Sequence, residues 1–400
     1  MEAYINHAVK IDRADLPRAA SSVSSLCLSP NGLQYWRSPA PPLTLLIATV
    51  AGVVRLERRA RAWQRTGASL DQHHLSALLR EPVSGALFAG AHSGGLYRSL
   101  DGGLSWSAAM RGLEHLHVFC LACVAEPTGP AIYAGTEPAH LYRSRDLGAS
   151  WQELTGLRCV PGCGAWSFPA PPHAAHVKHV ACDPRDPQRL FVCIEQGALL
   201  LSEDGGESFR ELHFQDATFR LNRDTHRVVF NPHRTQELCL VSGEGISRSR
   251  DGGRSWQRLG SAPCIAYPDA FCYSPEEAGV MYVAGAGTTP DVWRQTGDAA
   301  AAIACSRDDG RCWAQLRGGL PRRFPGSIEA LSLCSWPGGF GFFAATTDGE
   351  VFHSADRGGS WECLAQELPP VSKCIHYRNL SAGRERALEV LKAGLQAMRL

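Results

Sequence analysis

The chain has 400 residues, 44% of them hydrophobic, and its 40 basic residues offset 39 acidic ones to a net charge of +1. That is ample apolar content for a core, and the balance of charge excludes a nucleic-acid polyanion or an anionic membrane surface as the main partner. With 40 Gly, 25 Pro and few helix-favouring runs, the composition favours strands and turns over helices.

In chain order, residues 1–21 read as an N-terminal segment. Residues 1–30 lack a basic start followed by an apolar run, so no secretory leader is expected and the expected location is cytoplasmic. A first apolar strand covers 22–28. The most apolar stretch, PPLTLLIATVAGVVRL at 41–56, is too short to span a bilayer as a helix and reads as a pair of buried strands. Further apolar strands are expected at 74–81, 117–125, 177–183, 226–231, 268–274 and 328–335. Residues 4–11 and 371–378 add strands or cross a face. The tail 381–400 reads as an amphipathic helix with Ser381 as N-cap, packed outside or mediating association.

The 15 Cys are scattered singly through apolar runs and read as reduced, packed thiols. Cys120 and Cys123 are spaced CxxC but lie in a strand pattern, where positions three apart face opposite ways. Cys159 and Cys163 lie in a loop, with a pair or a metal as alternatives.

Between these strands one turn is written six times: SLDGGLSW at 99–106, SRDLGASW at 144–151, SEDGGESF at 202–209, SRDGGRSW at 249–256, SRDDGRCW at 306–313 and SADRGGSW at 354–361. A seventh, worn copy ends at Trp63. The closing aromatics are 43 to 58 residues apart, and each unit reads as four short strands. Four strands per unit of this length is the blade of a β-propeller, and the count of inner strands gives seven blades over 22–378, followed by the 379–400 helix. Asp101, Asp146, Asp204, Asp251, Asp308 and Asp356 are assigned a structural role, accepting backbone N–H bonds of their own turn. The Gly two residues later permits positive φ.

The motif S-x-D-x-G-x-S/T-W resembles the Asp-box, or BNR repeat, found in sialidases, xyloglucan-degrading glycosidases, sortilin-type receptors and the photosystem II assembly propeller. The resemblance covers about residues 22–365 and implies the fold. It leaves activity open, since these families include enzymes, receptors and assembly factors.

The box joins the third and fourth strands, so it lies opposite the face where inner strands begin. The long connections 155–176, 211–225 and 285–301 share that second face, which makes it the expected functional face. His74, His117, His176 and His226, then Tyr267, Asp269 and Glu329, open the inner strands and are expected around the channel mouth. Arg227, Arg294 and His376 join them as ligand-binding candidates. A divalent metal on His176, His226 and His74 is the cofactor candidate. Asp269 and Glu329, with Tyr267, are the candidate catalytic groups for glycoside hydrolysis. A sialidase is not expected: the F/Y-R-I-P segment is missing, and Arg227, Arg294, Arg323 and Arg378 assemble no triad. No phosphate loop, HExxH or GxSxG motif is present.

Two main readings follow. One is a propeller that binds a protein, small-molecule or glycan ligand on the long-loop face, with no nucleic acid and no membrane span. The other is an enzyme at the same mouth, hydrolytic or metal-dependent. A third is a structural module whose tail helix recruits a partner.

Overall fold

Short runs of buried apolar residues separated by polar turns build seven sheets, five of them made of four consecutive strands of the chain in spatial order, with the first and the last modified by one exchanged strand. The computed structural model describes residues 25–32, 35–60, 62–169, 172–212 and 223–373. Blade 4 shows the plan: His176–Asp183, Asp186–Glu195, Ala198–Ser202 and Arg210–Glu211 pair as successive antiparallel neighbours. The inner strands are Ser25–Leu28, Leu75–Arg80, His117–Glu126, His176–Asp183, Thr225–Phe230, Tyr267–Tyr273 and Ile328–Trp336. The protein is thus the all-β, seven-bladed propeller that the repeat implies. The tail helix and residues 1–21 lie outside the described residues.

Blade 1 departs from the expected direction. Ser25–Leu28 runs parallel to its neighbour Thr44–Thr49, whereas the other six inner strands are antiparallel to theirs. The chain does not turn back at Leu28. It crosses the channel and then lays Tyr35–Arg37 parallel on Ile328–Trp336, as a fifth strand of blade 7. One excursion therefore ties the first blade to the last. Side chains of the two blades share a core in which Leu26, Ile47 and Val54 meet Phe343 and Val351. Trp63, the worn seventh aromatic, packs edge-on against Phe343.

The six repeated turns have one geometry. In the first, the Ser99 hydroxyl donates to Asp101 (2.7 Å) and accepts from Gly103 N–H (2.8 Å), and Ser105 N–H donates to the Asp101 carboxylate at 3.0 Å. The same set recurs around Asp146, Asp204, Asp251, Asp308 and Asp356. Gly148, at φ 77°, needs to be Gly twice over, because a Cβ there would lie 2.6 Å from the Phe88 ring of the preceding blade. The turn thus closes its own hairpin and packs one blade on the next.

At the other end of the inner strands, blades 2 to 7 each carry a β-bulge one or two residues into the ladder. The extra residues are Ser76, Phe119, Lys178, His226, Asp269 and Glu329. A bulge re-aims side chains at the end of a strand, and its repetition around the ring sets six different side chains at the channel mouth.

Candidate functional site at the channel mouth

Aligned on the bulge, the inner strands present two columns. The bulged column is Ser76, Phe119, Lys178, His226, Asp269 and Glu329. Two residues earlier stand His74, His117, His176, Asp224, Tyr267 and Ser327. The second strand of blade 2 ends beside His74 at His92, and those of blades 3 and 4 end opposite His117 and His176 at Glu137 and Glu195. Apart from His117 and the half-buried Tyr267 and Glu137, these polar groups are buried. His117 is exposed at the rim.

One half of the mouth is a charge network on blades 3 to 6. His176 Nε2 lies 2.5 Å from Glu195 Oε2, and its Nδ1 lies 3.2 Å from Glu137 Oε2. Burial opposes charge on this ring, but Glu137 and Glu195 outweigh it and raise its pKa above the ordinary histidine value. Lys178 forms an ion pair with the other oxygen of Glu195. Burial works against the Glu195 carboxylate, yet Lys178 and His176 hold its pKa well below the usual range. An isolated bridge brings Asp224 beside Glu195. His226 Nδ1 lies 2.7 Å from the Pro268 carbonyl, which can only accept, so the proton sits on Nδ1. His226 Nε2 faces Asp224 Oδ1 at 3.3 Å, and the Tyr267 hydroxyl donates to Asp224 Oδ2 at 2.7 Å. Burial, reinforced by Lys178, lowers the His226 pKa.

The other half holds a piece of the chain itself. After the last strand of blade 7 the chain crosses the ring, with Val371 and Ser372 fully buried and Lys373 5% exposed. His74 Nε2 donates to the Ser372 carbonyl (2.7 Å) and His92 Nε2 to the Lys373 carbonyl (2.6 Å). Lys373 N–H donates to Glu329 Oε2 at 2.8 Å, and its ammonium pairs with Asp269. Arg227 lies beneath: its Nε donates to the Asp269 carbonyl oxygen (2.6 Å) and its Nη2 to Pro30 (2.9 Å) in the segment that crosses from blade 1. Burial pushes Arg227 down to about 10, still protonated near neutrality. Burial also holds His92 well below the ordinary histidine value, with the neighbouring His74 adding to the effect.

A continuous run of ring contacts links the halves. Ring centroids step from His74 to His92 (4.7 Å), to Phe119 (4.9 Å), to His176 (3.9 Å) and to Phe168 (5.1 Å) in the loop before blade 4. This corrects the expected metal set: two rings separate His74 from His176, so His74, His176 and His226 do not share one ion. Glu195, Asp224 and His226 do bring one ligand atom each within 4.8 Å of one another. Lys178 already sets a positive charge against Glu195, so that trio can balance its charge without a metal. Tyr267 is likewise turned away from Asp269 and Glu329, towards Asp224.

The long loops behave as elements of the rim. Thr155–Cys159 and Cys163–Ala165 are 3₁₀ turns, and Cys159 and Cys163 are both free. Burial raises the thiols of Cys120 and Cys123, as expected for packed side chains. Pro290–Thr296 is a short helix carrying Arg294, and its Trp293 packs edge-on against Tyr267 at 5.8 Å. His376, Arg378 and residues 213–222 of the second long connection lie outside the described residues.

Sequence reasoning missed Lys178, Glu195, Asp224, His92, Glu137 and Lys373. It placed His226 in line with His176, whereas the true equivalent of His176 is Asp224. Aligning strands on the residue before the bulge (Leu75, Val118, Val177, Thr225, Pro268, Ile328), apolar in all but Thr225, would have separated the two columns.

No family model matches the chain. Xyloglucanase Xgh74A of Acetivibrio thermocellus is 25% identical over 213 residues, covering 46% of this chain and 25% of that protein. Among solved structures, an ancestral GH74 enzyme superposes with a TM-score of 0.55 at 18% identity, over 72% of this chain and 40% of that one. YCF48 bound to D1 peptide superposes with a TM-score of 0.51 at 16% identity, over 82% of this chain and 92% of that one. The chain spans a quarter or less of the length of the curated relatives it matches. What these likenesses share with this chain is the propeller fold.

Proposed function

We propose that this is a partner-binding propeller that takes an extended polypeptide at the channel mouth on the long-loop face. The observation that carries the reading is chemical. Four side chains from three blades, His74, His92, Asp269 and Glu329, meet two backbone carbonyls, one backbone amide and one ammonium of a single extended segment. Such a set suits polypeptide, since it satisfies main-chain donors and acceptors as well as a side chain. The six box turns support placing the chain among Asp-box repeat propellers. The likeness to YCF48, whose solved structure carries a D1 peptide, agrees with a peptide ligand.

Glycoside hydrolysis by Asp269 and Glu329 is the second reading, supported by the sequence match to xyloglucanases. It needs two carboxyl groups open to a sugar and to water. Here both are at most 3% exposed and are engaged by Lys373.

A peptide array, a glycan array and a chromogenic glycoside panel separate the readings. The expected result is saturable binding to a subset of peptides, at least tenfold weaker when the rim is altered by His117→Ala and unchanged in the box variant Asp251→Asn. Glycoside turnover that Glu329→Gln abolishes would overturn the proposal.

A further inference from the structure

We propose that the mouth contains a lysine seat, built by Asp269, Glu329 and Arg227, which the chain fills with its own Lys373 and which a partner takes by presenting an extended segment with a lysine of its own. This rests on the polypeptide-binding reading and names the chemistry of the partner.

The argument begins with charge. Asp269 and Glu329 are 3% and 0% exposed, and Arg227 is 1% exposed. Arg227 Nη2 stands 4.0 Å from Asp269 Oδ1. Two carboxylates and one guanidinium therefore stand together in a space with almost no water. A buried carboxylate is strongly destabilising unless it is paired, so a cation beside Asp269 is favoured. Lys373 supplies it through the ion pair with Asp269. An acidic side chain in its place would set like charge against Asp269, and a neutral one would remove this ion pair.

The second part is shape. The bulges at Asp269 and Glu329 set these carboxylates on adjacent blades, facing the same residue from two sides. Glu329 reads the Lys373 amide and Asp269 its ammonium, so one residue is recognised by backbone and side chain together. His74 and His92 fix the direction of the segment through successive carbonyls. Thr346 accepts from Val371 N–H at 3.2 Å, and Val50 N–H donates to Pro370 at 2.9 Å. Each of these contacts is one that a lysine-bearing strand of another chain could make.

The third part is attachment. Residues 370–373 enter the ring only after blade 7 is complete and supply no strand to any sheet. Their withdrawal breaks no ladder, so an equivalent segment can exchange with them while the blades stay paired.

The test uses full-length protein. Lys373→Glu sets a third carboxylate against Asp269 and Glu329, which expels the segment and opens the seat. Fluorescein-labelled acetyl-LPPVSK-amide, the sequence of residues 368–373, should then bind at least tenfold more tightly to Lys373→Glu than to wild type, as read by anisotropy. The same peptide with Glu or norleucine for Lys should not bind. Equal weak binding of all three peptides to folded Lys373→Glu would overturn the proposal. If Lys373→Glu does not fold, Lys373→Ala decides: its thermal midpoint should rise with n-butylamine and not with n-butanol, and an equal response to both overturns the seat. A positive seat result with no hit on the peptide array would remove the partner reading alone, and array hits insensitive to a free LPPVSK peptide would remove the seat alone.

Discussion

The two ends of the blades were written under different rules. On one face six turns repeat a single geometry, with the same Ser, Asp and Gly making the same bonds around Asp101, Asp146, Asp204, Asp251, Asp308 and Asp356. On the other, six bulges repeat a backbone geometry while the side chains they aim all differ: Ser76, Phe119, Lys178, His226, Asp269 and Glu329. Repetition of side chains marks the face that holds neighbouring blades in place. Repetition of backbone with divergence of side chains marks the face proposed here to take a partner. The second face is also where two buried carboxylates and a half-buried third, two imidazoles and a lysine form one network, an arrangement that a simple core would replace with apolar groups.

The comparison can be broken most severely at Arg227. Arg227→Met leaves Asp269 facing Lys373 alone and removes the donor to Pro30, so unfolding by denaturant should show a loss of about 3–5 kcal/mol. Next comes Glu195→Gln, which removes the counter-charge of Lys178 and of His176 but keeps a hydrogen-bonding shape. A loss of about 2–3 kcal/mol is expected, and Lys178→Met in the same chain should recover part of it. On the box face, Gly148→Ala should cost about 1–2 kcal/mol through positive φ and the contact with Phe88, without altering peptide binding. If Gly148→Ala changes binding as much as the mouth variants do, the division between faces fails.

The smallest effect is that of acid. Asp101, Asp204, Asp251 and Asp356 are lowered from 3.8 to about 2. Partial burial opposes this, most at Asp101 and Asp251, but hydrogen bonds from the Ser and backbone groups of each turn prevail. Carboxylates whose folded pKa is depressed contribute stability that is complete above the unfolded value near 4 and is lost as pH falls towards 2. Thermal midpoints measured between pH 4 and pH 2 should therefore fall less steeply in Asp251→Asn than in wild type. Parallel slopes would show that the boxes do not carry this dependence.

These contrasts explain what was legible in the sequence. The boxes are local: Ser, Asp, Gly and an aromatic lie within eight residues, so their spacing discloses blade number and strand positions. The bulge is local too, but it leaves no fixed residue type, which is why the inner strands were aligned two residues out of step at His226. Glu195 and Asp224 meet across blades, and Lys373 reaches Asp269 from over 100 residues away, so neither pairing has a signal in spacing. Asp269, Glu329, His74 and His226 were still found, because strand order alone puts them at the mouth. The reversed direction of Ser25–Leu28 escaped because an apolar strand reads alike in both directions.

The central claim is that the mouth holds a polypeptide segment that another can replace while the box face stays as it is. Hydrogen–deuterium exchange on wild-type protein tests this most directly. Without ligand, the amides of Val371 and Lys373 should be protected by Thr346 and Glu329. With excess acetyl-LPPVSK-amide, exchange at residues 370–373 should rise at least tenfold, while the amides of Gly253 and Ser255 in the fourth full box remain unchanged. No change at 370–373 at a saturating peptide concentration, or an equal rise on both faces, would contradict the account.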